Sequence, residues 1–440
     1  MPDSIPLAAP TSSIAKLHAP TSGDATSEDV AQQDVKPKEL AMPSTSTGPL
    51  HGIRVLDISS VIMGPLATQI LGDLGADVIT VEDPKGTLSR VMTAGPIPQL
   101  SGLALNLLRN KRNVVLDLKD PDGRQRLLDI AATVDAVVTN LRPGTLGRLR
   151  LTYDDVRKVR PDIVFCQAQG YPSDSTAADA PAYDDVIQAG SGMPDTFRRQ
   201  GGMPVLVPSL VADKVSGLTI AYAVVAALLE RERTGQGQRV EVPMIDVMTA
   251  FTLVEHAGAA TAVPPQGPPG YGRILNPERQ PQRTSDGWIN VLAYTRENYE
   301  DLFREAGRPD LAEDGRIRSA RSRIAHADTL YRDVAEVLAT RTTAEWLGFC
   351  AGVGIPASAL PTLEELVDAL PEDDHPLAGR YKVIPQPVRF SLHPRPTVHR
   401  HAALSGQHDA EVAAEVAGWL NSDPQTLTEP LTLAEPTPPT

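Results

Sequence analysis

The stretch Gly52-Ile-Arg-Val-Leu-Asp-Ile-Ser-Ser-Val-Ile-Met-Gly-Pro-Leu-Ala-Thr-Gln-Ile-Leu-Gly-Asp-Leu-Gly-Ala-Asp-Val-Ile-Thr-Val-Glu82 decides the fold of this 440-residue chain. Ile53–Ile58 reads as a short apolar strand. Gly64-Pro65 opens a helix, with proline where a missing N–H costs nothing. Gly75 stops that helix, and Asp77–Glu82 is the next strand. The same alternation returns with strands at Val114–Leu118, Ala136–Thr139 and Ile163–Gln167 and helices between them. It predicts an α/β fold, a doubly wound, Rossmann-like parallel sheet covered by helices on both faces. A nicotinamide cofactor is excluded. The first turn, Ser59–Pro65, holds one glycine and no G-x-G-x-x-G, so the backbone has no means of approaching a pyrophosphate. Glu82, placed where a ribose-binding acid would sit, is read as a solvated strand end.

Beyond Val242 the pattern changes. A helix over Met244–Ala260 runs into Val263-Pro-Pro-Gln-Gly-Pro-Pro-Gly270, which cannot be regular structure. A smaller unit follows, with a strand at Trp288–Leu292 and helices at Arg296–Ala306, Ala325–Leu338 and Thr343–Ala351. The chain then returns through Tyr381–Phe390. Both ends, 1–48 and 422–440, are rich in Ser, Thr, Pro and Ala and are expected to be disordered.

The charge of −14, from 41 basic and 55 acidic residues, argues against nucleic acid as a partner. An anionic ligand must therefore find a local basic patch. Two distant cysteines, Cys166 and Cys350, make neither a disulfide framework nor a metal cluster, and the histidines show no metal-ligand spacing. No metal is expected. A start without a basic segment and apolar core argues for the cytoplasm. The run Leu218–Leu229 is too short to span a membrane and reads as a core helix, with Gly235-Gln-Gly-Gln238 as its C-cap and reversal. Trp288, Trp346 and Trp419 are assigned to core packing.

Ahead of that apolar run stands Pro208-Ser-Leu-Val-Ala-Asp-Lys-Val-Ser-Gly217. Asp213 is an acid at a helix entrance, where orphan N–H groups and the positive end of the dipole hold a carboxylate ionised and in place. Capping is the ordinary job of such a residue, and nucleophilic attack is the alternative one.

The chain resembles the class III CoA-transferases, which include formyl-CoA transferase and the α-methylacyl-CoA racemases. The likeness rests on an ordered set of motifs: Leu50–Asp57, Met63–Gln69, Leu71–Ile79, Asn110-Lys-Arg112, Asn140-Leu-Arg-Pro-Gly144, Tyr183-Asp-Asp-Val-Ile-Gln188, the Asp213 segment, Ser285–Ile289, Gly354–Ala357 and Pro387–Ser391. It covers about Leu50 to Leu420. The resemblance implies a large doubly wound domain from 49–243 and 377–421, linkers at 244–270 and 360–376, and a small α+β domain at 271–359. It further implies an interlocked homodimer. The implied reaction moves coenzyme A from an acyl-CoA donor to a carboxylic acid acceptor.

The resemblance makes Asp213 the covalent nucleophile and Asp184 a second catalytic acid lining the site; Asp185 is read as a plain helix start. A racemase needs a second acid–base group upstream of Asp184. No histidine occurs from Leu146 to Ala168, so that reading lacks half its pair. A non-catalytic acyl-CoA-binding paralogue is the remaining rival. For the CoA phosphates the matching motifs offer Arg142, Lys111, Arg112 and Arg90. Arg142, just after a strand, lies where doubly wound folds bind ligands. Gly270 and Gly272 fall where relatives carry a glycine-rich loop over the intermediate, stiffened here by prolines. Ile62 replaces a polar glutamine of formyl-CoA transferase, which implies an acid bulkier or more apolar than formate or oxalate.

Overall fold

The computed structural model describes residues 48–393 and 398–421, so the two tails expected to be disordered lie outside the described residues except for Gly48. Strands β1 (Arg54–Ile58), β2 (Asp77–Glu82), β3 (Lys111–Val115), β4 (Ala136–Thr139), β5 (Val164–Gln169) and β6 (Arg239–Pro243) form one parallel sheet in the order 3-2-1-4-5-6. The order in which strands are added reverses between β1 and β4, which defines the switch point of a doubly wound sheet. Connecting these strands are α1 (Met63–Asp73), α2 (Gly102–Leu107), α3 (Pro121–Ala131), α4 (Pro143–Leu149) and α5 (Tyr153–Val156). Helices α6 (Asp184–Gly190), α7 (Met193–Arg199) and α8 (Val211–Thr234) lie between β5 and β6, and α9 (Met244–His256) follows.

One face of the sheet is sealed by α1, α6, α8 and α9, whose Leu71, Ile187, Val224 and Met248 pack on Val55, Val138 and Cys166. The opposite face carries α3, α4 and, from the far end of the chain, α16 (Asp409–Leu420), through Leu127, Leu146, Val412 and Val416. The segment leading into α16 also covers the free edge of β3. Asn113 donates its N–H to His408 Nδ1 (3.0 Å) and accepts the His408 N–H (3.0 Å). Pairing of this kind removes an exposed sheet edge.

Strand β3 begins three residues earlier than the apolar pattern predicts, because Lys111, Arg112 and Asn113 are strand residues whose polar ends find Asp57, Asp77 and Glu82. Glu82 is accordingly buried, not solvated. Helix α8 is longer than its apolar run: at 24 residues it is long and apolar enough to cross a membrane by length and composition. Its buried face, with Ala212, Ile220, Val224 and Leu228, packs on α1 and the sheet. Gly235, at φ 71°, caps its C-terminus by donating to the Arg231 carbonyl.

A second core belongs to the antiparallel strands β7 (Gln282–Arg283), β8 (Trp288–Val291) and β9 (Ala357–Ala359). Around them stand α10 (Arg296–Glu305), α11 (Pro309–Ala312), α12 (Ala320–Ala325), α13 (Ala327–Leu338) and α14 (Thr343–Val353). Capping boxes start α10 and α14 through Thr295 with Asn298 and Thr342 with Glu345. Trp346 fills this core and donates Nε1 to the Leu338 carbonyl (2.9 Å). The other two tryptophans do not pack inside as expected: Trp288 and Trp419 are surface residues stacked under Arg283 and Arg54. Helix α15 (Leu363–Asp368) and the hairpin β10 (Glu372–His375) with β11 (Gly379–Lys382) lead back to α16.

Candidate active site

Asp213 is the third residue of α8, inside its first turn and not the residue before it, and its side chain caps nothing. Its backbone N–H, one of the orphan donors of a helix start, is accepted by Asp184 Oδ2 at 2.9 Å. Asp184 is the first residue of α6 and is 3% exposed. Gln188, one turn on, fixes the assembly: its amide nitrogen donates to Asp184 Oδ1 and to the Ser209 carbonyl (3.1 Å), and its amide oxygen accepts the Val207 N–H (2.9 Å). The lead-in to α8 is thereby strapped to α6.

Burial, and secondarily the Asp184 carboxylate, push the Asp213 carboxyl up to about 6. Desolvation and a like charge set this direction, against the pull of a helix start toward the ionised form. Among the described residues no side chain donates a hydrogen bond to its carboxyl oxygens, so the anion has no local donor to stabilise it.

One turn beyond Asp213, α8 crosses α1 closely. A Cβ on Gly217 would lie 2.9 Å from the Met63 carbonyl oxygen, so only glycine allows this approach. Both helices start at the carboxyl edge of the sheet, which brings the entrance of α8 to the same edge as the β1–α1 loop, Ser59–Ile62. That loop is tightly specified. Ser59 donates its N–H to Asp57 Oδ1 (3.0 Å), and Ser60 exchanges two hydrogen bonds with the Asn140 amide (3.0 and 2.8 Å). Val61 sits at φ 69°, a left-handed conformation that costs a β-branched residue and often marks a ligand site. Ile62 is buried at the start of α1.

At this edge opens a cleft of about 360 Å³ between the β1–α1 loop, Asp83–Leu88, Asp117–Lys119 and Leu141–Thr145. It straddles the switch point. Arg142, exposed beside it at the N-cap of α4, donates to the Asp179 carbonyl (2.9 Å), while the Asp179 carboxylate accepts the Gly144 N–H (2.8 Å). Lys119, on the cleft wall, has an exposed ammonium that sequence reasoning missed. It follows β3 as Arg142 follows β4.

The other three cations expected to meet the CoA phosphates hold carboxylate partners within the fold. Lys111 Nζ is buried among Asp57 (3.2 Å), the Pro65 carbonyl (2.8 Å) and Thr68 (2.7 Å), and desolvation pulls its value below the usual lysine range. Arg112 lies at the opposite, amino edge, held by Asp77, Glu411 and Glu415. Arg90 is buried, grips Glu82 with Nε and Nη2 and gives Nη1 to the Ala403 carbonyl. The geometry makes Lys111 a support of the β1–α1 loop and Arg90 a tie to the returning segment.

Gly270 takes φ 122°, which only glycine tolerates well, and donates to the His256 carbonyl (2.7 Å). The Tyr271 N–H goes to His256 Nδ1 (3.2 Å), and Arg199 binds the Pro269 carbonyl (3.0 Å), so this loop is anchored on α7 and α9. Gly272 has open space around it. Among the described residues no group of three His, Cys, Asp or Glu side chains is arranged to hold a metal ion.

Residues 50–409 match the family described as CoA-transferase family III. A Mycobacterium tuberculosis protein named as a probable fatty acyl-CoA transferase, Rv3272, is 34% identical over 84% of this chain and 98% of its own. Its crystal structure superposes with a TM-score of 0.71 at 31% identity, over 83% of this chain and 99% of the other. Formyl-CoA:oxalate CoA-transferase of Rhodopseudomonas palustris is 28% identical over 85% and 94% of the two chains. Human succinyl-CoA:glutarate CoA-transferase is 28% identical over 84% and 86%. The chain belongs to CoA-transferase family III. It is an enzyme of that class, acting on CoA thioesters, built on the α/β fold the alternation of strands and helices predicts.

Proposed function

We propose that this enzyme moves CoA from an acyl-CoA donor to a free carboxylic acid, with Asp213 as the covalent nucleophile. An Asp213 carboxylate oxygen attacks the thioester carbonyl carbon; the C–S bond breaks and CoA thiolate leaves a mixed anhydride. The thiolate then attacks the aspartyl carbonyl, releasing the donor acid and forming an aspartyl–CoA thioester. The acceptor carboxylate attacks that thioester, thiolate leaves again, and its attack on the new acyl carbon frees Asp213 and yields the product acyl-CoA. Each step exchanges one acyl–heteroatom bond for another, so no oxidant or reductant enters.

The observation that carries this reading is the Asp184–Asp213 pair: one carboxylate accepts the other's N–H and leaves its carboxyl unbonded at the switch-point edge. Asp184 then acts as a positioning residue, raising the energy of the Asp213 anion and making it a stronger nucleophile. Arg142 and Lys119 are the cations proposed to meet the CoA phosphates, and the Gly270–Gly272 loop the cover of the intermediate. The apolar Ile62 supports an acceptor larger than oxalate. The interlocked homodimer belongs to the same proposal; exposed Leu218, Tyr222, Phe251 and Val254 on α8 and α9 support an apolar contact there.

Hydroxylamine trapping with peptide mass mapping tests the chemistry. Incubation with acyl-CoA is expected to leave a hydroxamate on Asp213. Transfer activity without modification at Asp213 would overturn the reading.

A further inference from the structure

A cavity of about 570 Å³ opens between Tyr271–Asn276 and helices α10, α12 and α13, within the range of small-molecule sites. Four tyrosines (Tyr271, Tyr294, Tyr299 and Tyr331) and two arginines (Arg273 and Arg323) face it, beside Ile324 and alanine walls. The arginines are set apart from their neighbours. Arg316, in the turn before α12, and Arg332, on α13, each hold a carboxylate. Arg273 lies 4.0 Å over the Tyr294 ring and gives Nε to the Tyr331 hydroxyl (3.3 Å), and Arg323 donates Nη1 to the Ile317 carbonyl (2.8 Å). Among the described residues neither has a carboxylate at ion-pair distance.

In a chain with 55 acids against 41 bases, two cations left without counter-charge in one cavity form a local anion trap. Their free guanidinium nitrogens suit the two oxygens of a carboxylate. Burial, with Tyr331 adding, pushes the Tyr299 phenol up to about 12, while Arg273 and Arg323 pull it the other way. Both cations therefore lie within electrostatic reach of a phenol that stays a neutral donor. An inorganic anion would leave the aromatic walls unused; a carboxylate on an aromatic body uses both.

We propose that this cavity is a binding site for a small monocarboxylic acid with an aromatic body, its carboxylate between Arg273 and Arg323 and its body among the tyrosines. The inference needs no covalent step at Asp213, although the cavity rim shares Tyr271 and Gly272 with the loop proposed above to cover the intermediate.

Titration of 4-fluorophenylacetate against the full chain, read by fluorine NMR, tests it. Saturable binding is expected in the parent and, within about twofold, in Asp213→Ala. Arg273→Met and Arg323→Met should each weaken binding by about tenfold or more, as should replacing the probe by neutral 2-(4-fluorophenyl)ethanol. Thermal melts accompany both variants, and Arg323→Met carries the comparison if Arg273→Met does not fold. No saturable shift up to about 10 mM overturns the proposal. So does equal binding of the alcohol, or insensitivity to a folded arginine variant. Loss of binding in Asp213→Ala overturns it too, by seating the probe at the other site.

Discussion

At the amino edge of the sheet, Arg54 and Arg112 reach Asp77, Glu411 and Glu415, and a closed set of ion pairs ties α16 to β2 and β3. At the carboxyl edge, among the described residues, Asp213 has no side-chain donor on its carboxyl, Arg142 donates to a carbonyl, Lys119 faces solvent and Val61 is strained. The backbone beneath both edges is the same parallel ladder. What differs is whether charges are satisfied from within. Satisfied charge fixes structure, and charge left unsatisfied at a cleft is available to a substrate.

The comparison breaks first if Asp213 proves dispensable. Asp213→Ala should lower CoA transfer on the order of 10⁴-fold or more, about 5.5 kcal/mol, without loss of melting temperature. Steady-state rates beside a thermal melt check both halves, and near-parental turnover would end the distinction.

Next comes the internal pair beneath the cleft. Lys111→Met leaves Asp57 buried without its cation and should cost about 3–5 kcal/mol in denaturant unfolding, with affinity for free CoA held within about twofold. Adding Asp57→Asn should recover much of the loss. A variant that keeps its stability but loses CoA would return Lys111 to the ligand site.

A smaller effect concerns pH. The Asp213 carboxyl titrates near 6 in the folded protein, above its ordinary 3.8, so its contribution to stability is complete below about 4 and lost as pH rises through 6. Asparagine stays neutral throughout. Asp213→Asn should therefore be more stable than the parent by up to about 2–3 kcal/mol above pH 7, an advantage that vanishes toward pH 4. Turnover by the parent should fall on the acid side of about pH 6, where the nucleophile is protonated. A stability difference independent of pH would contradict the assignment.

The smallest prediction sharpens the role of strain. Val61→Gly removes the cost of a left-handed β-branched residue but adds chain entropy to the unfolded state. The net change should be a gain of no more than about 1 kcal/mol, with weaker substrate binding as the loop loosens. Unfolding midpoints and KM, measured together, separate the two effects.

Much was legible along the chain because it depends on near neighbours. Alternating apolar runs and glycine stops placed β1, β2, β4 and β5 to within two residues, since strand length and helix termination are local properties. The position of Asp213 at a helix entrance was also readable, as was the glycine cap at Gly235. The ion pairs of Lys111, Arg112 and Arg90 were not legible, because a sequence displays a cation but not the carboxylate that will neutralise it. Asp57 and Asp77, the partners of Lys111 and Arg112, stand on other strands, and the sheet register brings them together, whereas Arg90 turns back onto Glu82 eight residues earlier. The same holds for the Asp213 carboxyl, whose upward shift arises from burial and from Asp184, 29 positions away in the chain. By itself the sequence determined the order of elements and the kinds of side chain at their ends. Which charges became scaffold and which were left open to a substrate was decided by packing, because charge satisfaction is set by distance in space and not by separation along the chain.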